Sequence, residues 1–138
     1  MIKIFVVDTN VLISANLSVN SANRKAFERA REIGVLIYSK ETLSEFFEAF
    51  SRPKFDKYIS KERRLSDVST FRNVAHLIDV SVKINACRDA KDNKFLELAV
   101  EAGATCIITG DADLLVLHPF ENIPILTAPD FLVAFPNF

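Results

Sequence analysis

Soft-metal ligands are scarce in this chain of 138 residues, which has two cysteines, Cys87 and Cys106, and two histidines, His76 and His118. None lies at metal-type spacing from another, so no zinc site is expected. The cysteines read as two reduced, buried thiols of a cytosolic protein, not as a disulfide framework. Long apolar runs are missing too, and none approaches the roughly 18 residues of a membrane span. Lys3 and Asp8 interrupt the first apolar stretch, so no secretory leader is expected there. The chain also lacks a basic excess, with net charge −1 and a sequence pI of about 6.1. A polyanionic partner would have to be held by a local patch or through metal ions. With no repeat, low-complexity tract or linker, residues 1–138 are expected to form one domain.

What remains is an ordinary globular composition, 49% hydrophobic and 25% charged. Strand-like and helix-like segments alternate, which predicts an α/β fold with a parallel sheet. Ile2–Val7 reads as a strand buried on both faces, and Val11–Asn16 begins a short helix. Ser21 can cap a helix through Ile33, with Gly34 as its stop. Val35–Tyr38 is a second strand, followed by a helix capped by Ser39 and ended by Pro53. After the basic stretch RPKFDKYISKERR come a helix over Ser60–Leu77 and a short alternating strand over Ile78–Ile84. Asp89 caps a helix to about Ala102, with Gly103 behind it. Thr105–Ile108 and Ile123–Leu126 complete the strands, and Pro129 opens a last helix.

The acids fall at telling places. In FVVDTNVLISA, Asp8 sits between two apolar runs, at the lip of the core, where ionisation is costly without partners. Asp111 and Asp113 follow the strand TCIIT in TGDADLL. Ligands of open α/β sheets bind beyond the carboxyl ends of the strands, near the reversal of strand order. Two strands thus deliver acids to that end, although Asp111 is equally placed to cap a helix. Asp92, Phe95, Leu96 and Ala99 share one helix face, so Asp92 tops the apolar stripe and faces inward. A capping and dipole role explains an acid in this turn but not the side on which it lies. In KETLSEFFEAFSR the stripe is Leu43, Phe46, Phe47 and Phe50, which leaves Glu41, Glu45, Glu48 and Arg52 on a solvated face. Gathered carboxylates repel, and some must protonate or bind a cation. Oxygen ligands suit Mg²⁺ or Mn²⁺. An ion so held can activate water and stabilise phosphoryl charge, which fits a phosphodiester substrate.

Four fragments, VVDTNVLISA, LSEFFEAFSRPKF, DAKDNKFLELAVEAGA and IITGDADLL, together resemble the PIN-domain ribonucleases. They look most like the VapC-like toxin components of bacterial and archaeal toxin–antitoxin systems. The resemblance spans Ile2 to about Phe131. It implies a three-layer α/β/α fold around a mainly parallel five-stranded sheet. It implies an acidic cluster of Asp8, Glu45, Asp92 and Asp111, with Asp113 contributing to the metal, and hydrogen-bonding support from Asn10 and Thr109. Glu45 enters on this ground alone, against its periodicity. The implied activity is Mg²⁺- or Mn²⁺-dependent hydrolysis of single-stranded RNA by a cytoplasmic protein. The implied partners are a cognate antitoxin and a second copy of the chain. Two departures are visible. Leu114 stands where many members carry an aromatic, which implies only a packing difference. The basic helical segment from Lys54 to Leu77 is longer than in short members.

Arg52, Lys54, Lys57, Lys61, Arg63 and Arg64 are the densest basic group. They are a candidate RNA-backbone patch, although Asp56 and Glu62 dilute it and a solvated helix face would look the same. In DFLVAFPNF, Phe131, Phe135 and Phe138 suit the core, a dimer surface or an antitoxin groove, with core or dimer packing expected. Other readings have distinguishing features. A haloacid-dehalogenase phosphohydrolase wants a second Asp where Asn10 stands, and a response-regulator receiver wants an acidic pair where only Asp8 is present. A PIN-like module that binds RNA or protein without cutting need not keep every acid, yet all are kept.

Overall fold

The computed structural model describes residues 1–136, so Phe138 lies outside the described residues. In chain order the elements are β1 (Ile4–Val7), α1 (Thr9–Leu17), α2 (Ala22–Ile33), β2 (Val35–Tyr38), α3 (Lys40–Phe50) and α4 (Lys61–Val74). They continue with β3 (His76–Leu77), α5 (Asn93–Ala102), β4 (Cys106–Ile108), α6 (Ala112–Leu115), β5 (Ile125–Leu126) and α7 (Ala128–Ala134). The strands form one parallel sheet in the order β3-β2-β1-β4-β5. Val6 of the central strand pairs with Ile37 on one side and Ile107 on the other. The chain leaves β1 toward β2 and β3, then returns to lay β4 and β5 on the opposite side. The reversal of strand order therefore lies between the carboxyl ends of β1 and β4, where such sheets bind ligands.

Alternation along the strands splits the core into two layers, one on each side of the sheet. Phe5, Val7, Leu36 and Ile108 pack with Leu12, Phe27, Phe46, Phe71 and Phe131 of the helices on one face. Val6, Ile37, Ile107 and Ile125 pack with Phe95, Leu96 and Ala99 of α5 and with Leu114 on the other. The result is the three-layer α/β/α arrangement. Phe131 meets Phe5 edge to face at 5.3 Å and Phe135 stacks on it at 5.0 Å, so both aromatics serve the core.

Local chemistry starts most helices where the sequence places them. Ser21, Ser60 and Thr127 accept the backbone N–H of Arg24, Arg63 and Asp130. Ser39 and Thr42 form a reciprocal capping box. Three expectations need correction. Ile2 is exposed and β1 begins at Ile4. Helix α4 stops at Val74 instead of Leu77, because His76 and Leu77 pair with Ile37 and Tyr38 as β3. The strand expected over Ile78–Ile84 does not form. Ile78 N–H still donates to the Tyr38 carbonyl, but beyond it the donors find side chains of α5: Ser81 and Val82 N–H donate to Glu101, Ile84 N–H to Glu97, and, past the stretch, Ala86 and Cys87 N–H to Asn93. Residues 93, 97 and 101 share one helix face, so α5 offers a ladder of oxygens in place of a strand partner.

Gly34 ends α2 for a reason other than handedness, since its backbone is extended. A Cβ there would come within 2.4 Å of the Lys3 carbonyl oxygen and 2.8 Å of the Phe5 ring. Gly34→Ala is expected to destabilise the protein by about 1–3 kcal/mol, the cost of overpacking a tight core position, read as a lower denaturant midpoint. Gly103 is the left-handed cap, at φ +63°.

Candidate metal centre

The Asp8 N–H extends the sheet one residue past β1, donating to the Ile108 carbonyl at 3.0 Å. This pins its carboxylate at the junction of β1 and β4. Thr109, the residue after β4, donates its hydroxyl to Asp8 Oδ2 at 2.6 Å. The Asp111 N–H donates back to Thr109 Oγ1 at 3.0 Å. Asp111 is also the cap of α6, accepting the Asp113 N–H at 2.9 Å. Capping and site membership therefore coexist, since one carboxylate oxygen suffices for the cap. Asp89 caps a single 3₁₀ turn, Ala90–Asp92, which sets Asp92 at the head of α5. One carboxylate oxygen from each of Asp92, Asp111 and Asp113 lies within 4.8 Å of the others. A cleft of about 280 Å³ is lined by Asp8, Asn10, Glu45, Asp89, Asp92 and Asp111, with Thr9, Arg52 and Lys91.

Crowding shows in the proton affinities. Burial raises the Asp8 carboxyl to about 6, and the charges of Asp111 and Glu45 add to it while the Thr109 hydrogen bond opposes. Burial, then the contact with Asp111 and the charges of Asp111, Asp89 and Asp8, raise Asp92 to about 7. Asp92 Oδ2 is buried and has no hydrogen-bond partner among the described residues. A buried carboxylate oxygen facing other carboxylates, with no donor, is satisfied by a proton or by a cation. Hard oxygen donors at this spacing suit a small divalent ion, so the donor set fits Mg²⁺ or Mn²⁺.

Asp8, Asn10, Glu45, Asp92 and Asp111 thus line one cleft. Thr109 lies beneath it, buttressing Asp8. Asp113 approaches from the rim, where the exposed guanidinium of Arg88 donates to its carboxylate at 3.1 Å. Glu45 leaves the solvated face because helices α1 and α5 pack beside it. It accepts the Thr9 hydroxyl on one oxygen and the Lys94 ammonium, at 2.8 Å, on the other. Phe47, expected in the apolar stripe of α3, is instead half exposed.

The basic group splits up. Arg64 is only 4% exposed, and its guanidinium donates to the carbonyls of Phe50 and Arg52 and to Asp56. It braces the turn between α3 and α4 and is unavailable to RNA. Arg63 is held by Asp67, while Lys54 and Lys57 lie over the rings of Phe55 and Tyr58. Thr9, Arg88, Lys91 and Lys94 were missed by sequence reasoning. A signal existed for the two lysines: Lys91 and Lys94 flank the start of α5, where the helix dipole disfavours cations.

A profile of the PIN-domain family matches residues 5–113. An uncharacterized protein of Methanocaldococcus jannaschii is 39% identical over 144 residues, covering 96% of this chain and 92% of that protein. Among solved structures, PAE2754 from Pyrobaculum aerophilum aligns with a TM-score of 0.66 at 14% identity, over 98% of both chains. VapBC2 from Rickettsia felis, bound to a promoter DNA fragment, aligns at 0.61 and 16% identity over 88% of this chain and 96% of that one. VapC20 of Mycobacterium tuberculosis, a sarcin–ricin loop cleaving toxin, aligns at 0.56 and 12% identity over 87% and 98%. These likenesses agree on the fold, and the profile spans every strand end that carries an acid. The chain belongs to the PIN-domain family.

Proposed function

We propose that the protein is a divalent-metal-dependent endoribonuclease that hydrolyses phosphodiester bonds of single-stranded RNA, acting as the toxin of a toxin–antitoxin pair. The observation that carries this reading is the convergence of Asp92, Asp111 and Asp113, with a buried Asp92 oxygen that lacks a donor. Asp8, Asp92, Asp111 and Asp113 would hold Mg²⁺ or Mn²⁺. Such an ion supplies Lewis-acid stabilisation of charge on the phosphoryl oxygens and lowers the pKa of an attacking water. Thr109 fixes the Asp8 carboxylate in orientation, so the acid need not reorganise as charge develops nearby. Glu45 orients Thr9 and Lys94 on the wall of the cleft. Asn10 stands exposed at the opening, where it can meet the substrate.

The toxin assignment is supported by likeness in fold to VapBC2 and VapC20; an antitoxin protein and a second copy of the chain are the partners that the family resemblance implies. No helix among the described residues is long and apolar enough to cross a membrane. The test is digestion of a defined RNA pool, with end sequencing, beside calorimetric titration with Mn²⁺. Cleavage that requires Mg²⁺ or Mn²⁺ and stops with EDTA is expected. Mn²⁺ binding without cleavage of any RNA would favour a binding module, and absence of Mn²⁺ binding would overturn the metal centre.

A further inference from the structure

Beside the acidic cleft lies a second, of about 560 Å³, lined by Lys40, Arg52, Lys91 and Lys94 with Glu41, Ser44, Glu45 and Glu48. The two clefts adjoin, for Glu45, Arg52 and Lys91 line both. Their charge differs in sign. Asp8, Glu45, Asp89, Asp92 and Asp111 outnumber the cations of the first. In the second, four cations face three carboxylates; the Glu45–Lys94 pair cancels, which leaves Lys40, Arg52 and Lys91 facing Glu41 and Glu48. Lys40, Arg52 and Lys91 are exposed, and Lys94 is partly exposed at the junction.

We propose that the cleft formed by Lys40, Arg52, Lys91 and Lys94 is the track along which the phosphodiester backbone of a single-stranded nucleic acid runs into the acidic centre. This rests on the nuclease reading above and adds to it the path of the substrate. A chain of net charge −1 needs a local cationic surface to bring a polyanion next to five carboxylates. Among the described residues, no aromatic side chain lines the second cleft, so it offers no platform for stacking bases. It contacts phosphates, which position the strand and carry no sequence information. Choice of sequence then falls to groups nearer the acids, and binding along the track is indifferent to base. The Glu45–Lys94 pair has a place in this arrangement. It holds the ammonium at the boundary between the clefts, where the phosphate next to the scissile one would lie.

The experiment measures binding of fluorescein-labelled oligouridylate and oligoadenylate to the Asp8→Asn chain in Mg²⁺, over a range of salt. Each phosphate contact on a single strand contributes about −0.7 to the slope of log K against log salt. Lys40→Ala combined with Lys91→Ala is expected to flatten that slope by about 1.4 for both oligonucleotides alike. Lys94→Gln is expected to weaken binding, with recovery in Lys94→Arg. An unchanged slope in the double variant overturns the track. So does flattening that appears only when Lys54, Lys57, Lys61 and Arg63 are neutralised. Loss limited to one oligonucleotide would mean base readout and also overturns it. Mn²⁺ titration of the double variant in the Asp8-containing chain separates the two levels. Retained Mn²⁺ binding with an unchanged slope rejects the track alone, whereas a wild-type chain that binds no Mn²⁺ rejects the nuclease reading beneath it.

Discussion

Asp8→Asn is expected to lower RNA cleavage by roughly 10³-fold, the scale of losing a principal electrostatic stabiliser. The metal-free protein should become more stable at the same time. Both effects have one cause. Asp8 is 5% exposed and raised to about 6, so at neutral pH it is ionised beside Asp111 and Glu45 at a cost in folding free energy. Asparagine keeps the shape and can still accept the Thr109 hydrogen bond, but it removes the charge that a cation would need. Thermal melts in EDTA should shift upward by up to roughly 10 °C, following a gain of up to about 3 kcal/mol for two pKa units. Opposite movements of activity and stability separate this outcome from simple misfolding, which lowers both. Cleavage at the wild-type rate would exclude Asp8 from the metal centre.

The positions of Asp8, Asp92 and Asp111 were legible because strand ends and helix faces follow from local rules. An acid directly after a buried strand emerges at the end of the sheet, and an acid on the apolar stripe of a helix faces inward. Glu45 was not legible from its own helix. Its neighbours, Thr9 and Lys94, come from α1 and α5, and 3.6-residue periodicity within α3 carries no information about what packs alongside. The family resemblance supplied what periodicity could not. Arg64 misled in the same way, since its partners are the carbonyls of Phe50 and Arg52 at a turn, which composition reads merely as basic. Ile78–Ile84 has the alternation of a strand. Alternation reports which side chains are buried, however, and not where backbone donors go. Here those of Ser81, Val82 and Ile84 go to Glu101 and Glu97 and, just beyond, those of Ala86 and Cys87 to Asn93. The basic cleft was hidden for the same reason, being assembled from Lys40 and Arg52 at the two ends of α3 and from Lys91 and Lys94 at the start of α5.

Metal-free protein is expected to lose stability as pH rises from about 4 to about 8, and Mn²⁺ should restore it increasingly over the same interval. In the unfolded chain Asp8 and Asp92 release their protons near 3.8, whereas in the folded protein they hold them to about 6 and about 7. Below 3.8 both states are protonated and neither acid biases folding. Between these values the native state binds more protons than the unfolded one, so the slope of unfolding free energy with pH is negative. The penalty is complete once pH passes the folded values. Asp8 accounts for at most about 3 kcal/mol; Asp92 contributes less than its shift suggests, because the residue is partly exposed and shares its charge interaction with Asp111. A cation relieves the same repulsion, and it competes with the same protons. At 100 times its dissociation constant it would add about 2.7 kcal/mol. Its benefit should therefore be small near pH 5 and full near pH 8, which melting curves with Mn²⁺ and with EDTA will resolve. Asp92→Asn should flatten the EDTA curve and shrink the Mn²⁺ increment together. A level or rising metal-free curve, or an Mn²⁺ increment that ignores pH, would mean that the protons and the cation do not share a site, and the acids would then be a rim and not a metal centre.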